Sequence, residues 1–515
     1  MANSSGLFQV VKKPQGSVGA RSIAAVLWGT GGAALRLILQ VGAQIALARM
    51  LGQTEYGIFA IGATVIGFSA FFSEIGLAYG LIQKTTVGPL DVRFVFTWQV
   101  VLGIAVTAVI FGGSYELASF FGEPRSVSVI QALSMLCLLN ALSAPAMNLL
   151  KRDLNFKTLQ IIQLVSYAVG YLLVAIPLAL AGAQVWSLVA AWLVQALISA
   201  GMLYAATRHP LKPLFWYVDA RRQSNYGGAV FLTNLVNWAI GNIDRIIIAR
   251  AFGSRDIGLY ATTYNLLYNP TATLLGIVQP VFFSASSRIA DEQSRILQGY
   301  KALVAAMALL ILPVFAVVAA VPQTFIEALY GAKWHDAAAL CRPLALVMPM
   351  FLLFGLTTPL LWTSGRAAKE FQIQLPVALL WLAVCALAAT LSAVVVAWAV
   401  LALYSLRCAV VVGVATRSMG LLGADFWRCA RGGLMVSVAM AASLVLADHL
   451  LQGLAAWQRL GLHMLLGTAV WLCLLRLLPA LVAPELSVLF DRILILMPRH
   501  WARALAFLAP KGERQ

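Results

Sequence analysis

The chain has 515 residues, 61% of them hydrophobic and 11% charged, with a formal net charge of +17. Soluble domains run nearer half apolar and a quarter charged, so a soluble globular fold is excluded. Nucleic acid does not explain the basic excess. No nucleic-acid-binding module occurs, and membrane proteins collect Lys and Arg in their cytoplasmic loops.

Runs of about 20 uncharged residues recur along almost the whole length, each long enough to cross a bilayer as a helix. In hydrocarbon every backbone N–H and C=O needs an internal partner, which a helix supplies. The runs do not alternate as barrel strands would. The start, Met1 to Arg21, is polar and basic without a small-residue cleavage site, so no cleavable signal peptide is expected. In chain order the predicted spans are 22–48, 57–82, 94–114, 127–149, 158–181, 184–206, 226–251, 257–283, 300–322, 337–363, 371–391, 393–416, 430–447 and 460–482. The expected fold class is therefore an all-α polytopic membrane protein of about fourteen transmembrane helices.

Orientation follows from charge. With the N-terminus in the cytoplasm, the N-terminal segment, even-numbered loops and C-terminal tail hold 25 Lys and Arg. The odd-numbered loops hold 7, span-edge residues being counted with their adjoining loop, and Arg36, Arg245, Arg407 and Arg476 lie within spans. That asymmetry places both termini in the cytoplasm of a bacterial inner membrane. Arg208 to Ser224 mixes basic and aromatic residues, and the tail beyond Leu489 alternates apolar residues with Arg492, Arg499 and Arg503. Both segments read as interfacial, serving as topological anchors.

Two stretches repeat. Ala48 to Ala60 reads ARMLGQTEYGIFA and Ala249 to Ala261 reads ARAFGSRDIGLYA, with five of thirteen positions identical at an offset of 201 residues. Six spans separate the copies, so they share one orientation, as in repeats related by an axis along the membrane normal. The expected domains are an N-terminal six-helix lobe over 1–215, a C-terminal six-helix lobe over 216–418, and two additional helices with a basic tail over 419–515. The lobes are expected to enclose a central cavity.

Polar residues mark that cavity. A charge at mid-membrane costs about 2.5–3.5 kcal/mol on insertion scales, so it needs a partner or a wet surface. In the first span Gly29, Gly32, Arg36, Gln40 and Gln44 recur on one helix face. In the seventh, Asn234, Asn237, Gly241 and Asp244 do the same beside Arg245. Shifted by 201, Arg36 falls on Asn237, Gln40 on Gly241 and Gln44 on Arg245. Asn265, Asn269 and Thr273 follow in the eighth span, Glu74 lies in the second and Arg407 in the twelfth. Arg476 is near enough to the surface to snorkel. The substrate-binding candidates are Arg36, Gln40, Gln44, Glu74, Asn237, Asp244, Arg245, Asn269 and Arg407. The plain alternative is that the charged residues pair as glue between helices. As a cavity lining they are net positive, which suits an anionic substrate, because arginine binds phosphate and carboxylate bidentately. The carboxylates are candidates for proton or sodium coupling; no other cofactor is expected. Prolines at 145, 177, 270, 280, 313, 349, 359 and 376 interrupt spans and predict kinks.

Enzymatic chemistry finds little support. No P-loop occurs, so direct ATP coupling is not expected. His209, His335, His449, His463 and His500 form no ligand spacing, which leaves no predicted metal site or catalytic residue. The six cysteines, without any C-x-x-C, read as small buried apolar residues.

Six segments carry a family resemblance: LARMLGQTEYGIFA (47–60), FFSEIGLAYGLIQK (71–84), FFGEP (120–124), LLKRDLNFK (149–157), IDRIIIARAFGSRDIGLYATTYNL (243–266) and LYGAKW (329–334). Together they resemble the polysaccharide exporter family of Wzx-type flippases, and most closely its colanic-acid or succinoglycan-exporter branch. The likeness covers residues 20–420 or so. It implies the two-lobed fold of the MATE-like flippase superfamily. The implied activity is movement of undecaprenyl-diphosphate-linked oligosaccharide repeat units between leaflets, for exopolysaccharide or lipopolysaccharide biosynthesis. Expected partners are that lipid-linked oligosaccharide, membrane lipids and other membrane proteins of the pathway. The alternatives are a lipid II flippase, a MATE-like extruder, and a membrane-bound polymerase or acyltransferase. Short odd-numbered loops argue against the last.

Overall fold

The computed structural model describes residues 18–73, 81, 87–217, 227–289, 292–363, 367–421 and 423–478. Among these the chain is almost entirely helical and contains no strand. The helices are α1 (Val18–Met50), α2 (Gln53–Ser73), α3 (Pro89–Gly112), α4 (Ser114–Phe121), α5 (Ser126–Arg152), α6 (Phe156–Leu180), α7 (Val185–Thr207) and α8 (Gly227–Arg288). They continue as α9 (Gln293–Ala320), α10 (Pro322–Tyr330), α11 (Ala337–Thr363), α12 (Ala367–Ala388), α13 (Ala393–Ser418), α14 (Gly423–Leu450) and α15 (Ala456–Leu477). Eleven segments of the described residues are long and apolar enough to cross a membrane. The protein is a multi-pass membrane protein. Leu180, Leu387 and Leu465 are all more than 70% exposed on the bundle's outside, where hydrocarbon rather than water is the solvent.

The helices fall where the apolar runs predict, with one addition. Short helices α4 and α10 lie beyond the predicted spans. The seventh and eighth spans, predicted as separate, are two helical arms that meet at a kink with no loop between them. Together they form α8, 62 residues long. A straight helix of that length would reach roughly 93 Å, about three hydrocarbon thicknesses. It folds back instead at Gly253, whose φ of 80° and ψ of −170° suit only glycine. Hydrogen bonds between the arms prove the hairpin: Tyr260 donates to Asp244, and Arg245 Nη2 donates to Asn265 Oδ1 at 3.2 Å.

The two repeat copies meet at this turn. A Cβ on Gly57 would lie 1.6 Å from the Ser254 carbonyl oxygen, and one on Gly258 would lie 1.9 Å from that of Gln53. Gln53 and Ser254 are equivalent in the repeat, as are Gly57 and Gly258. The contact is therefore reciprocal, the signature of a local two-fold axis. Around it Ala48, Ile58 and Ile61 of the first copy pack with Ile248, Ala249, Ile257 and Tyr260 of the second in one buried cluster.

Two predicted proline kinks become π turns. Ala168–Ala175 in α6 precedes Pro177, and Met307–Ile311 in α9 precedes Pro313. Proline supplies no N–H to the carbonyl four residues back and crowds it, so the turn widens. In α9 the carbonyl released by Pro313 is that of Leu309. Trp471 Nε1 of α15 donates to it at 3.0 Å. Gly433 of α14 lies so close to the same turn that a Cβ there would stand 2.0 Å from the Ala308 carbonyl oxygen. The last two helices are thus seated on a defect in α9. The cysteines among the described residues are free and five are buried, Cys473 being exposed.

Candidate functional site

The end of the bundle where α1 finishes is closed by hydrogen bonds from residues 328–334. Helix termini leave carbonyls without intrahelical partners, and those of α1 are taken by distant donors. Trp334 Nε1 donates to the Ala48 carbonyl at 2.8 Å. Lys333 Nζ donates to the carbonyls of Arg49 at 2.6 Å and Leu51 at 2.7 Å. A cation at a helix C-terminus is also favoured by the helix dipole. In return Arg49 donates to the carbonyls of Leu329 at 2.7 Å and Ala328 at 2.6 Å. Gly331, at φ 92°, makes the turn that brings Lys333 and Trp334 there.

Beneath this closure lie two adjoining cavities. The first, about 220 Å³, is lined by Gln40, Gln44, Tyr56, Tyr171, Thr262 and Asn269 among others. Its polar groups are amides and hydroxyls, with one charged side chain, Arg245. Gln44 Nε2 spans the two copies, donating to the Thr262 carbonyl at 3.0 Å and to Tyr330 Oη at 2.8 Å. The second cavity, about 520 Å³, is lined by Asn237, Gly241, Tyr264, Phe354, Gln279 and Arg407 among others. Asn242 and Arg245 belong to both.

The two arginines of the second cavity bond to side-chain amides and lie over aromatic rings. Arg245 bonds to Asn265, and its guanidinium carbon lies 4.4 Å from the Tyr264 ring centroid. Arg407 Nη2 bonds to Gln374 Oε1 at 2.5 Å and Asn237 Oδ1 at 3.3 Å, with the guanidinium 3.9 Å over the Phe354 ring. Amide oxygens accept from a guanidinium and an aromatic face packs on its plane, so both fix its orientation. Arg245 Nε is buried without a hydrogen-bond partner among the described residues.

Of the nine predicted site residues, Gln40, Gln44, Arg245 and Asn269 line the first cavity, and Asn237, Arg245 and Arg407 the second. Arg36 lines neither; its guanidinium donates to Gln163 of α6. Asp244 lines neither and is 2% exposed, turned into the α8 hairpin against Tyr260. Adjacent helical residues point about 100° apart, so Asp244 and Arg245 serve different faces. Glu74 lies outside the described residues. Sequence reasoning missed the aromatic lining. Tyr264 and Tyr268 line the second cavity and, with the buried Tyr260, recur at four-residue spacing down one face of α8, their rings stacked in turn. Tyr167 and Tyr171 stack likewise at the π turn of α6, with centroids 4.3 Å apart. A tyrosine every fourth residue is the signal that could have found them.

Residues 46–339, more than half of the chain, match the family described as polysaccharide biosynthesis protein. The chain belongs to that family. Among curated relatives, the teichuronic acid biosynthesis protein TuaB of Bacillus subtilis is 26% identical over 366 residues, covering 70% of this chain and 75% of that one. The succinoglycan biosynthesis transport protein ExoT of Rhizobium meliloti is 25% identical over 325 residues, 63% of this chain and 66% of that one. Among solved structures, the lipid II flippase MurJ in an inward closed conformation superposes with a TM-score of 0.66 at 13% identity, covering 93% of this chain and 99% of that chain. At that identity the likeness is one of fold.

Proposed function

We propose that this chain is a flippase, moving undecaprenyl-diphosphate-linked oligosaccharide units from the inner to the outer leaflet of the bacterial inner membrane. The observation that carries this reading is the pair Arg245 and Arg407. Both stand in a cavity at the heart of the bundle, where amides and aromatic rings position them. A cavity so charged attracts a phosphate-bearing substrate and fits it bidentately. The names of relatives in polysaccharide biosynthesis and transport support the same class.

In this reading both termini are cytoplasmic and the closed end is the periplasmic one. The eleven candidate spans become fourteen when the arms of α8 are counted separately and α2 and α12 are added. In this reading residues 1–215 and 216–418 are the two lobes, and 419–515 are an addition whose helices α14 and α15 sit on α9. Substrate enters from the cytoplasmic side while the Lys333 closure shuts the other. Breaking that closure while the lobes turn about the Gly57–Gly258 crossing exposes the cavity outward. Binding drives this only through differential affinity for the two states. The chain is then a transporter and not an enzyme. Asp244, sealed against Tyr260, belongs to the hairpin rather than to the substrate.

The test is the leaflet position of the lipid-linked oligosaccharide in a deletion strain, read in spheroplasts with a membrane-impermeant sugar-modifying enzyme. The proposal expects the intermediate to accumulate in protected form, surface polysaccharide to be lost, and wild type but not Arg245→Gln to restore both. An intermediate that is accessible yet unpolymerised places the protein after translocation and ends this reading.

A further inference from the structure

We infer that the first cavity is a recognition subsite for a single neutral pyranose ring of the carbohydrate, next to the arginine cavity that takes the anionic linkage. This rests on the proposed function and divides its site in two.

Size comes first. At about 220 Å³ the cavity is smaller than the roughly 300–1,000 Å³ of drug-sized pockets. It admits one ring, not a chain of rings. Lining comes second. Gln40, Gln44, Asn242, Asn265 and Asn269 are amides, which carry both donors and acceptors, as tyrosine hydroxyls do; Gln44 gives its donors to Thr262 and Tyr330 and keeps its oxygen for the cavity. Sugar hydroxyls also donate and accept, so amides and phenols match them. A phosphate would need donors alone, and a prenyl chain would leave every one of these groups unmet.

The third point is a group without a partner. Thr262 is 2% exposed and lines this cavity, and its Oγ1 has no hydrogen-bond partner among the described residues. A buried hydroxyl left unpaired is costly, so one in a cavity wall is a place for a water or a ligand hydroxyl to bond. Arg245 Nε stands in the same condition at the border with the second cavity. The fourth is the wall opposite. The π turn Ala168–Ala175 presents Tyr171 stacked on Tyr167 with ring planes 11° apart. Such turns concentrate at functional sites, and an aromatic face packs against the apolar face of a pyranose. Because Arg245 and Asn242 border both cavities, a ring here has its linkage phosphate within the charged cavity.

The experiment uses the full chain in nanodiscs with two probes: undecaprenyl diphosphate, bare or carrying one glucose. Wild type is expected to bind the glucosylated lipid more tightly. Thr262→Val and Tyr171→Leu are each expected to lose about tenfold for the glucosylated lipid and nothing for the bare one, a loss typical of one buried polar or aromatic contact. Tyr171→Phe keeps the ring and retains the preference, which separates recognition from misfolding. Arg245→Gln weakens both lipids. Equal binding of the two probes by wild type, or equal losses in Thr262→Val, overturns the sugar subsite and leaves the anionic reading standing. Absence of binding by either probe overturns both.

Discussion

Ala48–Ala60 and Ala249–Ala261 share a pattern and meet at equivalent residues, yet their surroundings are bonded differently. The first copy receives. Its carbonyls at Ala48, Arg49 and Leu51 accept from Trp334 and Lys333, closing one end of the bundle. The second copy folds directly at Gly253, and the turn before it supplies the charge. Gln44 and Arg245 are equivalent positions that line the same cavity. Gln44 bridges to Thr262 and Tyr330, whereas Arg245 is held by Asn265 and faces both cavities. Duplication set where the helices cross, and the residues one or two turns upstream set what each half does.

The sharpest way to break that comparison is to spoil the crossing both copies share. Gly258→Val puts a side chain where only 1.9 Å separates a Cβ from the Gln53 carbonyl oxygen. Backbone cannot step aside as a flexible side chain does, so the cost is expected to reach or exceed the roughly 1–3 kcal/mol of ordinary overpacking. Gly42→Ala is the control, since a Cβ there meets nothing within 4 Å. Thermal unfolding in detergent should show a large loss for Gly258→Val and none for Gly42→Ala. A wild-type melt for Gly258→Val would disprove the reciprocal contact.

Next in size is the difference between Gln44 and Arg245. Arg245→Gln makes the two copies alike and should lower transport about 10- to 100-fold, the worth of a charged hydrogen bond of roughly 1.5–3 kcal/mol. The exchange Gln44→Arg with Arg245→Gln restores the charge count on the other copy. It is expected not to restore transport, because Asn265 and Tyr264 position a guanidinium only at 245. Recovery by the exchange would mean that the copies are interchangeable in function.

The closure itself is a smaller lever. Lys333→Met removes two bonds to the end of α1. At roughly 1 kcal/mol each, that shifts the open-to-closed ratio about tenfold or more toward open. A Thr262→Cys background should then be labelled correspondingly faster by an impermeant thiol reagent from the periplasmic side. Unchanged labelling would mean that Lys333 caps α1 without latching the lobes.

How much of this was legible in the sequence depends on how local each cause is. Spans are local: hydropathy placed α11 at 337–363, as found. The break in α8 is local too, since the polar stretch Gly253–Asp256 parts two apolar runs; that one glycine turns the chain with no loop at all was not legible. Of the stripes on α1 and α8, Gln40, Gln44, Asn237, Arg245 and Asn269 line the cavities, since helix periodicity fixes a face. Asp244 lies off that face. It occupies the position equivalent to Ala43, and both are 2% exposed. The first copy thus held the clue that this is a packing face. Tyr171 and Tyr264 count as apolar in a hydropathy reading and vanish into the spans. Lys333 acts on carbonyls more than 280 residues away, and no spacing rule reaches that far.

The smallest expected effect is a dependence of the closure on pH. Glu327 and His335 bracket the turn that carries Lys333, with His335 Nδ1 2.9 Å from Glu327 Oε1 and Gln323 Nε2 donating to the same oxygen at 3.0 Å. The hydrogen bond to Glu327 raises the His335 pKa above its ordinary 6.5. Partial burial pushes Glu327 up, but the bonds from His335 and Gln323 outweigh it and leave the carboxyl below its ordinary 4.5. The histidine contribution is complete below 6.5 and is lost as pH rises through the raised value. The carboxylate contribution is complete above 4.5 and is lost as pH falls through the depressed value. The turn is therefore held best between the two, near pH 5.5. Both groups face solvent and water screens them, so the change is expected to be smaller than that of Lys333→Met. Labelling of Thr262→Cys, corrected for reagent ionisation, should quicken modestly from pH 5.5 to pH 8, and His335→Gln should remove the difference. If the variant keeps the full pH response, the charge at 335 is not what tightens the closure.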